Sequence, residues 1–267
     1  MGITWLASYP KSGNTWVRFL LHSAIYGPAN NSLDIARKIP DIHRPLPFDP
    51  PSDNKILCKT HFALSPKHPK LAQTDKAVLI IRDPRDVLFS ALNYRRLNGL
   101  TKDQLSDEQY AKSFIAAQGD PQFAAIGYGT WSSHISSWQS NTTFPVHTIR
   151  YESLKQSPAD HLRALADFLG YQFSDETIAA AVKASSFDSM RAMEIREKSK
   201  QKKQPAPGAK PTTLFVGTPK ASQSKTYFMN TGNSGQSLAS ISPAIEQAFN
   251  KAFAEPMRKH GYEPLSD

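Results

Sequence analysis

The chain has 267 residues, 39% of them apolar, and carries 32 Lys and Arg against 23 Asp and Glu for a net charge of +9. That length accommodates one large α/β domain with a full core and requires no second domain, and the basic balance suits a polyanionic partner, whether a nucleotide, a nucleic acid or an acidic surface. A single cysteine, Cys58, excludes an internal disulfide, and no apolar run approaches the roughly 18 residues of a membrane span.

The first expected strand covers 3–8 and starts so early that it leaves no room for a signal peptide, so a cytoplasmic protein is expected. It runs into Tyr9-Pro10-Lys11-Ser12-Gly13-Asn14-Thr15-Trp16. A helix follows to Tyr26, with Trp16, Val17, Leu20, Leu21, Ala24 and Ile25 forming an apolar stripe that leaves Arg18 and His22 elsewhere; Gly27-Pro28 ends it. A turn of this kind opening a helix favours an oxyanion: its backbone N–H groups, the unpaired donors of the first helical turn and the positive dipole end all point that way, and Lys11 adds a full charge. Because the lysine precedes the glycine, the loop is not the Walker A pattern, which ends in Gly-Lys-Ser/Thr. The plainer alternative is a strand-to-helix turn that happens to carry a lysine.

His43, Arg44 and Phe48 sit in a proline-rich loop, where they either pack on the surface or face an acceptor. The second strand, 55–59, delivers Lys59, and alternation points His61 to the same side. An imidazole with an ordinary pKa near 6.5 suits proton abstraction at neutral pH. The other seven histidines fit ordinary structural roles. The third strand, 77–81, carries Arg82 to the sheet edge, where Asp83 can cap a helix opened by Pro84, with Ser90 about two turns in. Arg82 and Ser90 could clamp an anion there, or Arg82 could pair with a nearby carboxylate. Tyr94-Arg95-Arg96 is the nearest approach to an interleaved basic and aromatic surface for nucleic acid, and it is one short patch.

A fourth strand, 145–150, ends at Arg150-Tyr151. Ser157-Pro158, Ser174 and Ser242-Pro243 then open helices. Residues 199–211, rich in lysine and proline with no apolar period, read as a mobile loop or as a lid. Strands alternating with helices predict a doubly wound parallel sheet flanked by helices, with the ligand beyond the carboxyl ends of the strands. No grouping of His, Cys and carboxylates has metal-ligand spacing.

The octet Tyr9 to Trp16 resembles the 5′-phosphosulfate loop of the cytosolic-type sulfotransferases, which use 3′-phosphoadenosine 5′-phosphosulfate (PAPS) in a P-loop-like fold. Arg82 and Ser90, eight residues apart, resemble the family's 3′-phosphate motif, and Lys59-Thr60-His61 resembles the segment carrying its general base and a lysine for the sulfuryl oxygens. Arg150-Tyr151-Glu152-Ser153-Leu154-Lys155 and Ser185-Ser186-Phe187-Asp188-Ser189-Met190 are similar to the segments whose aromatics contact adenine. The resemblance thus implies a sulfuryl transfer to a small-molecule hydroxyl, metal-free, with 3′-phosphoadenosine 5′-phosphate (PAP) as product. His61 would be the base, Lys11 would stabilise the bridging oxygen and 5′-phosphate, and Lys59 would assist at sulfur. Lys11, Ser12, Gly13, Asn14, Thr15, Trp16, Arg82, Ser90, Tyr151, Phe187 and Gly232 would bind the nucleotide.

One region departs from the family pattern. Many members carry Arg-Lys-Gly where this chain has Asn230-Thr231-Gly232, so the basic pair is missing, with Gly232 N–H, Lys220, Lys225 or the lysines of 200–210 as substitutes. Gly235-Gln236-Ser237-Leu238, with Gly129-Thr130-Trp131 and Trp138, looks closer to bacterial sulfotransferases that modify glycopeptide antibiotics, which implies a role in secondary metabolism. The competing readings are a P-loop kinase using ATP and Mg²⁺, a nucleic-acid-binding protein, and a catalytically inactive PAPS-binding relative.

Overall fold

The computed structural model describes residues 2–44, 55–98, 105–203, 226–230 and 232–264. Four strands, β1 (Ile3–Ser8), β2 (Ile56–Thr60), β3 (Thr74–Ile81) and β4 (Val146–Arg150), form one wholly parallel sheet in the order β2-β1-β3-β4. The sheet has the expected class. β1 is its centre, with Leu6 opposite Lys59 on one side and Val78 on the other, so every residue of β1 is buried. Pairing sets the strand bounds. β2 reaches Thr60 because that residue pairs with Ala7, and β3 starts at Thr74, opposite Ile3, before its apolar run begins.

Both faces of a parallel sheet are covered, which is why its strands read as continuous apolar runs. Successive residues of β1 and β3 feed opposite layers. Trp5, Ala7, Ala77, Leu79 and Ile81 pack beneath Trp131, Trp138, Phe249 and Phe253, which come from α6 (Trp131–Gln139) and the C-terminal helix Pro243–Lys259. Leu6, Val78 and Ile80 meet Val17, Leu20, Leu21, Leu162 and Leu165, from α1 (Asn14–Tyr26) and α8 (Pro158–Leu169). α9 (Asp175–Ala184) lies over α1. α2 (Ser32–Lys38) and α10 (Phe187–Lys203) bury the remaining side of α1, where Phe19 packs with Ile35, Met190 and Met193.

This second covering buries the side of α1 that lies off its main apolar stripe. Arg18 and His22, off the main apolar stripe, are both buried, and Arg18 Nη2 donates to the Ile39 carbonyl. The expected loop at 199–211 is corrected at its start, because α10 continues through Lys203. Its Ser, Gln and Lys residues tolerate a helix and the first proline comes only at 205; residues 204–211 lie outside the described residues. The expected helix starts hold: Pro158 and Pro243 occupy first-turn positions, and Ser174 and Ser242 each accept a backbone N–H from their helix. Among the described residues, no helix is long and apolar enough to cross a membrane.

Candidate active site

The carboxyl ends of all four strands open into one cleft of about 340 Å³, within the range of small-molecule sites. After β1 the chain turns tightly, with Ser12 N–H donating to the Tyr9 carbonyl at 3.3 Å. Two residues of this turn are left-handed, Lys11 at φ 73° and Gly13 at φ 100°. Gly13 is required there twice over, since a Cβ would also stand 2.5 Å from Tyr151 Cδ2. Gly13 precedes the first turn of α1 and supplies no side-chain cap, so that turn's N–H donors face the cleft uncapped. Asn14 Nδ2 fastens the turn to β1 through the Leu6 carbonyl at 2.8 Å. Ser12 Oγ is buried without a partner. Lys11, Gly13, Asn14, Thr15 and Trp16 line the cleft; Ser12, expected with them, sits behind it instead.

The Lys11 ammonium is held between two rings, 4.5 Å from the Tyr94 centroid and 4.3 Å from that of Phe228. Tyr94 comes from α3 (Pro84–Leu97). Burial, with the nearby charges of Lys59, Arg82 and Arg44, pulls the Lys11 amine down to about 7.

At the end of β2, Lys59 Nζ donates to Asp41 Oδ2 at 2.7 Å. Burial alone would raise the Asp41 carboxyl, but the charges of Lys59 and Arg18 hold it well below the ordinary carboxylate range. His61 Nδ1 lies 2.7 Å from the Ser8 carbonyl, an acceptor only, so that nitrogen carries the proton and Nε2 the lone pair. The His61 backbone N–H donates to His43 Nε2 at 2.8 Å. His43 in its neutral form therefore carries its proton on Nδ1, which points to the Tyr128 hydroxyl at 3.1 Å. The two imidazoles stack, with centroids 5.6 Å apart. Burial, reinforced by Lys59, keeps His61 well below its ordinary pKa, and burial takes His43 down to about 4. Both rings are neutral at physiological pH.

At the end of β3, Asp83 caps α3 by accepting from Arg85 N–H at 2.8 Å, as its place before Pro84 suggests. Arg82 is buried and, among the described residues, meets no carboxylate. Nη1 donates to the Lys11 carbonyl at 3.2 Å, Nη2 donates to the Asn233 carbonyl at 2.8 Å, and Nε has no partner. Its guanidinium lies 4.2 Å from the centroid of Tyr151, the first residue of α7 (Tyr151–Gln156). Trp16 meets Tyr151 edge to face at 5.5 Å. Phe187 packs against Gly232, whose own φ is 64° and where a Cβ would sit 2.8 Å from the ring. Ser90 lines the same wall.

The structure thus places His61, Lys11, Lys59, Arg82, Ser90, Trp16, Tyr151, Phe187 and Gly232 in one cleft. His43 and Arg44, for which surface packing was one expectation, also line it; Phe48, Lys220 and Lys225 lie outside the described residues. Sequence reasoning missed Asp41, Tyr94, Tyr128 and Phe228, none of which stands at a strand end or in a turn motif. The residues fit a nucleotide carrying two phosphates: an uncapped helix start and an orphaned Arg82 Nε are donors in need of an acceptor.

The family model described as "Sulfotransferase domain" matches residues 3–261. Sulfotransferase 1A1 of Mus musculus is 26% identical over 198 residues, 70% of this chain and 66% of that protein, just under two thirds of its length. Sulfotransferase 1A1 of Bos taurus is 26% identical over 273 residues, 94% of this chain and 82% of the relative. Among solved structures, mouse sulfotransferase SULT7A1 complexed with PAP superposes with a TM-score of 0.62 at 20% identity, covering 96% of this chain and 85% of that one. Retinol dehydratase in complex with androsterone and inactive cofactor PAP gives 0.66 at 18%, covering 99% and 82%. These two show that the fold is shared.

Proposed function

The chain belongs to the sulfotransferase family, and from that premise we propose that it moves the sulfuryl group of PAPS to a hydroxyl of a small-molecule acceptor. The observation that carries this reading is the arrangement of His61. Its Nδ1 is committed to the Ser8 carbonyl, leaving a basic Nε2 in a cleft shared with Lys11 and Lys59.

In the proposed reaction His61 Nε2 takes the acceptor's proton as its oxygen bonds to sulfur, and the bond from sulfur to the 5′-phosphate oxygen breaks in line. Lys11 and the uncapped N–H groups of α1 receive the charge developing on the departing PAP, and Lys59 faces the sulfuryl oxygens. As in phosphoryl transfer, the work is positioning and electrostatic stabilisation. Because Lys59 is oriented by Asp41, it meets the sulfuryl group from a fixed direction. Trp16, Tyr151 and Phe187 form the purine wall, and Arg82 with Ser90 takes the 3′-phosphate. His43, Phe123, Ile126 and Tyr128 also line the cleft, with His43 and Tyr128 against the His61 ring, and bound the acceptor.

Calorimetry with PAP in the absence of metal, set against ATP with Mg²⁺, tests the donor site; preference for ATP with Mg²⁺ moves the protein to the kinase reading. Radiolabelled PAPS and a panel of hydroxyl acceptors then test the chemistry. His61→Gln should bind PAP like the wild type and transfer sulfuryl at least about 10²-fold more slowly. Undiminished transfer removes His61 as base.

A further inference from the structure

Two cations outside the Lys11 loop meet on one short segment. Arg82 Nη2 donates to the Asn233 carbonyl at 2.8 Å, and Lys155 Nζ donates to the carbonyl of the preceding residue, Gly232, at 2.7 Å. Lys155 is on α7, one turn after Tyr151 and on the same helix face, and the Tyr151 ring carries the Arg82 guanidinium. The segment is tied beyond this point as well. Buried Asp86 accepts from Gly235 N–H at 3.1 Å and Gln236 N–H at 3.2 Å. Its donors are thus taken by a carboxylate, and two adjacent acceptors by the two cations.

We propose that Arg82 and Lys155 form a two-cation clamp that takes the second, dianionic phosphate of the nucleotide, with Lys155 supplying the charge that Asn230 and Thr231 do not. The inference rests on the nucleotide reading above and deepens it. Arg82 Nε is buried and unpartnered, so the clamp retains a donor that the segment's carbonyls do not satisfy. Carbonyl oxygens carry only partial charge. A phosphate at the same place offers both cations a full charge and Nε an acceptor. Lys155 is exposed, and its flexible stem can exchange one acceptor for the other without disturbing the core.

Lys155→Met and Lys155→Arg are compared with the wild type by calorimetric titration with PAP and with 5′-AMP, which lacks the second phosphate, at low and at moderate salt. Lys155→Met should weaken PAP about tenfold or more, leave 5′-AMP within about twofold, and flatten the salt dependence of PAP binding; Lys155→Arg should stay close to wild type. Equal weakening of both nucleotides makes Lys155 an anchor of the segment and overturns the clamp, as does PAP binding unchanged in Lys155→Met. A wild type with no preference for PAP over 5′-AMP removes the function proposed above together with the clamp.

Discussion

Nucleotide binding at Lys11 should draw a proton from solution. In the free protein, burial and the neighbouring Lys59 and Arg82 charges hold this amine at about 7 rather than 10.5. One pH unit above that value, at pH 8, only about one lysine in eleven is charged. A dianionic phosphate beside Lys11 favours the ammonium and returns its pKa towards the ordinary value, so binding PAP at pH 8 should take up about 0.9 proton, and about 0.5 at pH 7 from this group. Ligand then binds the protonated form, and affinity must fall as pH rises: the Kd should weaken close to tenfold between pH 8 and pH 9. Nucleotide phosphates are fully ionised in that range and contribute nothing to the count. Calorimetry in Tris and in HEPES, whose ionisation enthalpies differ, reads the proton number from the difference in apparent binding enthalpy. Lys11→Arg, charged at every accessible pH, should abolish both the uptake and the pH dependence. Uptake below about 0.2 proton at pH 8 in the wild type refutes the argument, and uptake that persists in Lys11→Arg moves the titration to another group.

Lys11 also occupies a left-handed backbone conformation, φ 73°, so Lys11→Gly should be more stable than Lys11→Ala by about 1 kcal/mol, the reverse of the usual order; equal urea midpoints would show that the turn relaxes. Gly13→Ala should cost about 1–3 kcal/mol and weaken PAP binding, because its Cβ meets the Tyr151 ring and its φ is 100°, both read by urea unfolding and titration. His134 is fully buried with neither ring nitrogen hydrogen-bonded, and burial holds it down to about 3. The folded state therefore resists a proton that the unfolded chain accepts near 6.5. Stability is full above pH 6.5 and lost as pH falls towards 3, by about 2 kcal/mol at pH 5 from this residue. The change in unfolding free energy between pH 7 and pH 5 should be smaller by that amount in His134→Gln, and an unchanged difference would assign the acid loss elsewhere.

Local chemistry made much of this protein readable from its chain. The strands are buried on both faces and so appear as apolar runs; the turn at Lys11 and Gly13 sits between a strand and a helix within a few residues; and Arg82, Asp83, Pro84 and Ser90 are neighbours along one strand-to-helix transition. These positions converge because parallel strands all end at the same edge, so residues at strand ends share a cleft once the sheet class is known. The cleft's second half carries no such signal. Asp41 reaches Lys59 across 18 residues, and Tyr128 reaches His43 across 85; Phe228 comes to Lys11 on a segment whose backbone N–H groups at Phe228 and Met229 are held by buried Glu194. The extension of α10 to Lys203 was likewise invisible, since its last turns have no apolar period. The sequence by itself determined which residues can carry charge and where strands end. The tertiary structure alone decided which buried partners set their protonation, because desolvation and charge act through space and take no account of separation along the chain.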